Sequence, residues 1–326
     1  MIEIRGQENS LEETMTQFSD RLAVAVKRCG TPVLVGLDPR FQNLPIGLTR
    51  DVAPTDAQAV AKTYTRFCCD VIDVVAERVA VVKPQAAFFE LLGPPGMEAL
   101  RDVIAYARQK ELLVLIDAKR NDIGSTARAY AEAYLGDSPP SSWGGHALTV
   151  SPYLGGDSLE PFFEIAIHRE AGVFVLVKTS NPGGALFQDL HADHHPLYEH
   201  VALYVQHWAA RTAGAAGYGA VGAVVGATYP QQQAALREQM PNAWFLVPGF
   251  GAQGARASDV KGAFAADGLG ALVNSSRGII FAHSRPEYRD RFGERQWQEA
   301  VDAATRDMIE QLRSETPAGR LSGSYP

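Results

Sequence analysis

The segment Leu112–Ala127, LLVLIDAKRNDIGSTA, contains the structural unit from which the fold can be predicted. It begins with a short apolar run, Leu112–Ile116, of the kind that forms a strand buried on both faces of a parallel sheet. Charged residues end the run, and a helical pattern, Ser125–Tyr134, follows them. A strand, a polar loop and a helix in this order are typical of α/β proteins with parallel sheets.

The same unit recurs along the chain, so that strand and helix alternate eight times. Eight units favour closure into a barrel over an open sheet. We therefore predict an α/β fold, a (β/α)₈ TIM barrel with parallel strands and an extra N-terminal helix at Leu11–Arg28. The other predicted strands are Pro32–Leu37, Val79–Val82, His146–Val150, Val173–Val177, Val221–Val225, Ala243–Val247 and Gly270–Val273. The other predicted helices are Asp56–Val75, Pro95–Lys110, Asp157–Ala171, Pro196–Ala213, Pro230–Met240, Gly254–Ala265 and Trp297–Leu312.

No low-complexity linker divides the chain, so residues 1–326 are expected to form a single domain. Its barrel core spans about 31–313, with terminal tails at 1–10 and 314–326. Three longer loops are predicted to decorate the barrel: Arg40–Pro54, Gly136–Gly145 and Asn181–His195.

Composition limits the possible functions. The chain is 46% hydrophobic and 21% charged, as is ordinary for a soluble globular protein. Its net charge of −7 argues against non-specific nucleic-acid binding, which requires Lys and Arg to neutralise phosphates. A local basic site can still bind a small anion.

No apolar run is long enough to span a membrane. The polar N-terminus and three cysteines without a CxxC pattern predict a cytoplasmic protein with reduced thiols.

Charged residues gather where the predicted strands end, which is where barrels build their active sites. Asp117 and Lys119 are two residues apart on an extended segment, so both side chains point into the barrel mouth. Asp122 lies in the following loop, while Asp38 and Lys83 end the first two strands. This pattern predicts a network of alternating carboxylates and ammonium groups. An ion-pair network that only caps the barrel is the alternative, and the coincidence on neighbouring strands favours a functional site.

A phosphate site is predicted after the last two strands. The glycine-rich segment Val247–Ala255, VPGFGAQGA, lets the backbone approach a ligand, and the helix after it offers N–H groups to an anion. Arg277, after the last strand, can grip a phosphate by two parallel hydrogen bonds. A simple turn is the alternative for the glycine-rich segment alone. The histidine-rich segment His191–His200 has no recognisable ligand spacing, so no metal site is predicted.

Together these motifs resemble the orotidine 5′-phosphate decarboxylase family, in particular its longer bacterial branch. The signature D-x-K-x-x-D-I is present as Asp117–Ile123. The resemblance extends from VGLDPR at Val35–Arg40 to SSRGII at Ser275–Ile280, and TVSPYLGGDSLEPF and VLVKTSNPGG fit the bacterial branch. Asn121 stands where this branch is expected to have glycine, and both residue types tolerate a left-handed backbone.

The resemblance implies decarboxylation of orotidine 5′-phosphate to uridine 5′-phosphate and CO₂, the last step of de novo uridine monophosphate synthesis, without metal or cofactor. Lys119 would protonate C6 of the pyrimidine, with Asp117 beside the departing carboxylate. Lys83 would bridge the carboxylates and a ribose hydroxyl. Asp122 would complete the site of the partner subunit in a homodimer. The implied substrate-binding residues are Asp38 at the ribose, Thr126 at the partner's ligand, Ser180 at the pyrimidine edge, and Gln253 and Arg277 at the phosphate.

Three other functions are weighed against this one. Relatives that act on sugar-phosphate enediolates carry a similar signature but need a carboxylate for Mg²⁺ where this chain has Lys83. A Schiff-base aldolase would need Lys119 to be uncharged, whereas two flanking carboxylates favour its charged form. A barrel that only binds nucleotides could dispense with the charged signature, which is present in full.

Overall fold

The computed structural model describes residues 17–139, 141, 143–251 and 254–321. Eight parallel strands close into a barrel, which confirms the predicted fold. The strands are β1 (Val33–Leu37), β2 (Val81–Pro84), β3 (Leu113–Arg120), β4 (Ala147–Val150), β5 (Gly172–Lys178), β6 (His191–Ala192), β7 (His195–Pro196), β8 (Val221–Val225), β9 (Phe245–Val247) and β10 (Ala271–Ser275). Their order in the barrel is β1-β10-β9-β8-β5-β4-β3-β2, and the short antiparallel pair β6 and β7 lies outside it.

Helices surround the barrel. Most begin and end close to their predicted limits, because local signals mark the ends. Asp56 caps one helix by accepting the N–H groups of Gln58 and Ala59, both at 3.1 Å. The helices are α1 (Phe18–Cys29), α2 (Ile46–Thr49), α3 (Ala57–Val75), α4 (Ala86–Glu90), α5 (Pro94–Gln109), α6 (Gly124–Tyr134), α7 (Gly156–His168), α8 (Ala185–Gln188), α9 (Leu197–Arg211), α10 (Pro230–Gln239), α11 (Arg277–Ile280), α12 (Pro286–Phe292) and α13 (Trp297–Glu315). Among the described residues, none of these is long and apolar enough to cross a membrane.

Helix α1 packs against the N-terminal end of the barrel. Phe18 lies against β5, where a side chain added at Gly172 would place its Cβ 2.3 Å from the Phe18 ring. The Asp20 carboxylate accepts the N–H groups of Ala215 and Ala216 at 3.0 and 2.8 Å. The expected start of this helix, residues 11–16, lies outside the described part of the chain. Helix α1 therefore covers part of the barrel end that is opposite to the carboxyl ends of the strands.

Three segments differ from the sequence-based expectation. In the segment Gly254–Ala265, expected to be a helix, only Ala257–Ala263 is helical, and it is a 3₁₀ helix. The segment Asn181–His195, expected to be a plain loop, contains a 3₁₀ turn, α8 and the first strand of the β6–β7 pair. The expected C-terminal tail packs on the barrel as far as Leu321, because its apolar side chains find buried positions.

Candidate active site

A cavity of about 670 Å³ opens at the C-terminal ends of the barrel strands. Parallel strands bring their carboxyl ends to one rim, so residues distant in sequence meet there. Of the predicted site residues, the structure brings together Asp38, Lys83, Asp117, Lys119, Ser180 and Arg277 along its wall.

Asp117 lies at the centre of the charged network. Its Oδ2 accepts from Lys83 Nζ at 2.9 Å and from Gln85 Nε2 at 3.0 Å. Its Oδ1 accepts from Lys119 Nζ at 2.7 Å and from the Thr149 hydroxyl at 2.9 Å. Four donors saturate a carboxylate, which offers about four lone-pair sites. Asp117 is therefore held as an acceptor and fixed in one orientation.

The charges of this network stabilise one another. Burial alone would raise the pKa of Asp117, but the charges of Lys83 and Lys119 outweigh it and hold that pKa well below its ordinary value. Burial alone would likewise disfavour the ammonium of Lys83. The charges of Asp117 and Asp38 overcome this and raise the pKa of Lys83. Both members of the buried pair are therefore ionised near neutral pH.

Lys119 combines a strained backbone with a partly open side chain. Its φ is 46°, in the left-handed region that residues other than glycine rarely adopt. Its N–H donates to Thr149 Oγ1 at 3.0 Å, and the register between β3 and β4 shifts around it. Strain of this kind concentrates at functional sites. The left-handed residue of this segment is Lys119. Asn121 is not among the described residues with positive φ, so its tolerance of a left-handed backbone is not used at this position.

The predicted phosphate end lies across the cavity. Arg277 follows β10 and lines the cavity beside Gly249 and Phe250. Gly249 and Gly251 have φ values of 102° and 68°, which glycine adopts without strain. The helix after this loop is the 3₁₀ helix described above, so the expected α-helical N-terminus does not follow the loop. The predicted phosphate ligand Gln253 lies outside the described residues.

Two predicted residues do not reach this cavity. The carboxylate of Asp122 accepts the N–H of the next residue, Ile123, at 2.8 Å. Thr126 is exposed on the first turns of α6. Both side chains lie outside the cavity lining of their own chain. The described part of the chain contains no group of three or more His, Cys, Asp or Glu side chains that could hold a metal ion.

Several lining residues were not predicted. Gln85 and Thr149 complete the coordination of Asp117. The segment Asn181–His195, predicted to be a loop that only decorates the barrel, also forms part of the cavity wall through Phe187 and Gln188. Gln188 accepts the N–H of Thr179 at 3.0 Å and donates to its hydroxyl at 2.7 Å, which ties α8 to the end of β5. A signal was available for Gln85, which follows Lys83 at the two-residue spacing of one strand face.

Lys178 helps to hold the same segment. Its buried ammonium is paired with Asp189 and lies over the rings of Tyr198 and Tyr229, 5.0 and 4.7 Å from their centroids. A buried ammonium needs such partners, because an unpaired charge is costly inside a protein. Lys178 follows the apolar run of β5 and does not line the cavity. Its ion pair with Asp189 holds the cavity-lining segment around α8 against the end of β5.

This fold and this site define a (β/α)₈ barrel with an ionised pocket at its mouth, the architecture of barrel enzymes. Comparison with known proteins then shows the family. The model of the orotidine 5′-phosphate decarboxylase / HUMPS family matches residues 31–289. The orotidine 5′-phosphate decarboxylase of Rhodopirellula baltica is 56% identical over 301 residues, which cover 92% of this chain and 100% of the relative. That of Caldicellulosiruptor bescii is 40% identical, over 85% of this chain and 93% of the relative.

Solved structures agree. A putative orotidine 5′-phosphate decarboxylase from Streptomyces avermitilis has 35% identity and a TM-score of 0.74, covering 97% of this chain and 99% of that one. The decarboxylase of Leishmania donovani has 35% identity and a TM-score of 0.71, covering 92% and 98%. The chain belongs to the orotidine 5′-phosphate decarboxylase family, as its motifs indicated.

Proposed function

We propose that this chain decarboxylates orotidine 5′-phosphate to uridine 5′-phosphate without metal or cofactor, with Lys119 as the proton donor. One observation carries the mechanism: the Asp117 carboxylate is held between the ammonium groups of Lys83 and Lys119 in the cavity wall. The substrate is inferred from relatives that carry the name orotidine 5′-phosphate decarboxylase, among them one that is 56% identical. The product is a pyrimidine nucleotide, which assigns the reaction to pyrimidine biosynthesis. The three free cysteines are consistent with the cytoplasm.

The cavity suggests how the substrate lies. Arg277 would hold the phosphate, with the glycine-rich loop closing over it and Gln253 contributing. Asp38 and Lys83 would bind the ribose. Ser180 would bond the pyrimidine edge, and the apolar side chains that line the cavity offer the flat ring a surface: Leu176, Val224 and Leu246. Phosphate binding far from the reacting carbon can supply energy for orientation at the ring.

The chemistry follows from this orientation. The substrate carboxylate on C6 would face Asp117, so two negative charges would meet. The bond from C6 to the carboxylate breaks and CO₂ leaves. The electron pair of the broken bond stays on C6. The fixed ammonium of Lys119 stabilises that charge and then transfers a proton to C6, leaving a neutral amine. Because the Lys119 side chain is 47% exposed, water can return the proton.

We further propose a homodimer in which Asp122 and Thr126 complete the partner's site. Neither residue lines its own cavity, although both follow β3 closely. Large apolar side chains are exposed on the loops after three successive strands of the same rim, a distribution typical of a subunit interface. They are Ile123 after β3, Tyr153 and Leu154 after β4, and Leu186, Phe187 and Leu190 after β5.

The activity is tested by an absorbance assay on orotidine 5′-phosphate with chelator-treated protein. Loss of substrate absorbance with formation of uridine 5′-phosphate is expected. If the chelator-treated protein is inactive on orotidine 5′-phosphate but acts on a sugar phosphate once Mg²⁺ is added, the reaction belongs to the enediolate type. The role proposed for Lys83 would then be wrong.

The dimer is tested by mixing two inactive variants, Lys119→Ala and Asp122→Ala. Each mixed dimer would contain one site with both residues intact. Random exchange should therefore restore about a quarter of wild-type activity per site, since half the dimers are mixed. Mixing each variant with itself is the control. Absence of any recovery after verified subunit exchange would contradict the shared site.

A further inference from the structure

Two polar residues at the end of β10 line the cavity and carry buried side-chain atoms that have no hydrogen-bond partner in the described part of the chain. These residues are Asn274 and Ser276. Among the described residues, the buried atoms Asn274 Oδ1 and Ser276 Oγ have no hydrogen-bond partner. Asp38 Oδ1, in the residue that follows the neighbouring strand β1, has none either. Buried polar atoms in native proteins are nearly always hydrogen-bonded, so a cluster of exceptions calls for an explanation.

The place of this pair in the barrel is fixed by Gly36. Strand β1 pairs Leu34 with Asn274 on one side and Gly36 with Lys83 on the other. A Cβ added at Gly36 would lie 2.7 Å from Ser276 Cβ and 3.0 Å from Asn274 Oδ1. Gly36 is not among the residues with positive φ, so space rather than backbone conformation requires glycine there. The pair therefore lies at the end of β10, with Gly36 of β1 between it and Lys83, and Ser276 directly precedes Arg277.

We propose that Asn274 and Ser276 bind the sugar-phosphate part of the nucleotide. The Ser276 hydroxyl donates to a phosphate oxygen beside Arg277, and the Asn274 amide bonds a ribose hydroxyl beside Asp38. A hydroxyl and an amide can each donate and accept, which suits these partners. The identity of the nucleotide rests on the proposed function. The assignment of a sugar phosphate rests on the neighbours of the pair.

A binding role and a structural role predict opposite effects on the empty protein. Polar groups that are satisfied only by a ligand destabilise the unliganded fold, and replacing them by apolar groups of similar shape is neutral or stabilising. Groups that support the fold destabilise it when they are lost. Melting temperature and ligand affinity measured on the same variant therefore separate the two roles.

The test uses Ser276→Ala and Asn274→Leu, with calorimetric titration of uridine 5′-phosphate and ribose 5-phosphate. Ser276→Ala should weaken both ligands about tenfold or more, as for a lost hydrogen bond to a charged group. Asn274→Leu should weaken uridine 5′-phosphate by roughly two- to tenfold, as for a neutral hydrogen bond. Neither change should lower the melting temperature of the unliganded protein.

Matched controls exist for both variants. Ser275 is the adjacent serine, buried but outside the lining of this cavity, so Ser275→Ala should leave both affinities unchanged. The Asn242 amide is satisfied, donating to Gly217 O at 2.7 Å and accepting from Gln206 at 2.8 Å. Asn242→Leu should lower the melting temperature without changing affinity.

Unchanged affinities in both test variants would overturn the inference, and so would a lowered melting temperature with unchanged affinity. Failure of the proposed function would look different. The wild-type protein would then fail to turn over orotidine 5′-phosphate, while Ser276→Ala would still weaken its binding of ribose 5-phosphate.

Discussion

Thr149→Val tests how the site positions Lys119. The Thr149 hydroxyl donates to Asp117 Oδ1 at 2.9 Å and accepts the N–H of Lys119 at 3.0 Å. The side chain is buried, with 1% of the residue exposed. Valine has nearly the same shape, so the substitution removes the hydroxyl and little else. It leaves the left-handed backbone of Lys119 without the bond that holds it.

The expected loss can be worked from these two bonds. A hydrogen bond to a charged group contributes about 1.5–3 kcal/mol and a neutral one about 0.5–1.5 kcal/mol. Together they predict a fall of about 2–4.5 kcal/mol in the free energy of unfolding. Displacement of the Lys119 amine by about 1 Å would lower kcat on the order of a hundredfold. KM should change little, because the contacts proposed for the phosphate and ribose remain.

The assay combines kcat and KM on orotidine 5′-phosphate with urea unfolding. Thr149→Ser keeps the hydroxyl and should recover most of kcat. Thr305→Val is the matched control, because the buried Thr305 hydroxyl donates to the carbonyl of Val301 at 2.8 Å and makes no other hydrogen bond among the described residues. It should leave kcat unchanged. Wild-type kcat in Thr149→Val, or a loss of stability with no loss of kcat, would refute the positioning role.

Three further outcomes are expected. Lys119→Ala should abolish turnover but keep calorimetric binding of uridine 5′-phosphate, and near-normal turnover would end its role as proton donor. Arg277→Ala should weaken substrate binding by about 1.5–3 kcal/mol, read from KM and from product titration, and an unchanged affinity would remove it from the phosphate site. Because the pKa of Asp117 is held below its ordinary value of 3.8, its stabilisation is complete above about pH 4 and is lost as pH falls through the folded pKa. The stability advantage of wild type over Asp117→Asn in urea unfolding should therefore shrink below pH 4, and a constant difference down to pH 2 would contradict the low pKa.

The barrel could be predicted from sequence because each strand of the barrel contains a short run of apolar residues. A strand buried on both faces needs such a run, and eight of them between helical patterns leave few alternatives. Asp38, Lys83, Asp117 and Arg277 could be located because each lies at the carboxyl end of an apolar run. The carboxyl ends of parallel barrel strands share one rim, so the topology alone predicts that these residues meet in one cavity.

The rest depended on register and tertiary contact. Thr149 looks like an ordinary strand threonine, and its role follows only from the pairing of Leu148 with Ile116 and the shift after it. The segment Asn181–His195 has no strong local pattern. It becomes a wall because Gln188 and Asp189 bond residues at the end of β5. Contacts of this kind depend on the tertiary structure and leave no periodic pattern in the sequence.

Burial distinguishes the two lysines beside Asp117. Lys83 is only 3% exposed, and its ammonium is held by the charges of Asp117 and Asp38. If it gave up a proton, water could not readily return one, and the buried carboxylate would lose the charge that offsets its own burial. Lys119 binds the other oxygen of Asp117 with half of its side chain open. Asp117, with its acceptor sites filled and its pKa lowered, is no proton donor itself. The arrangement therefore favours a division of labour in which Lys83 keeps Asp117 charged and Lys119 alone cycles its proton.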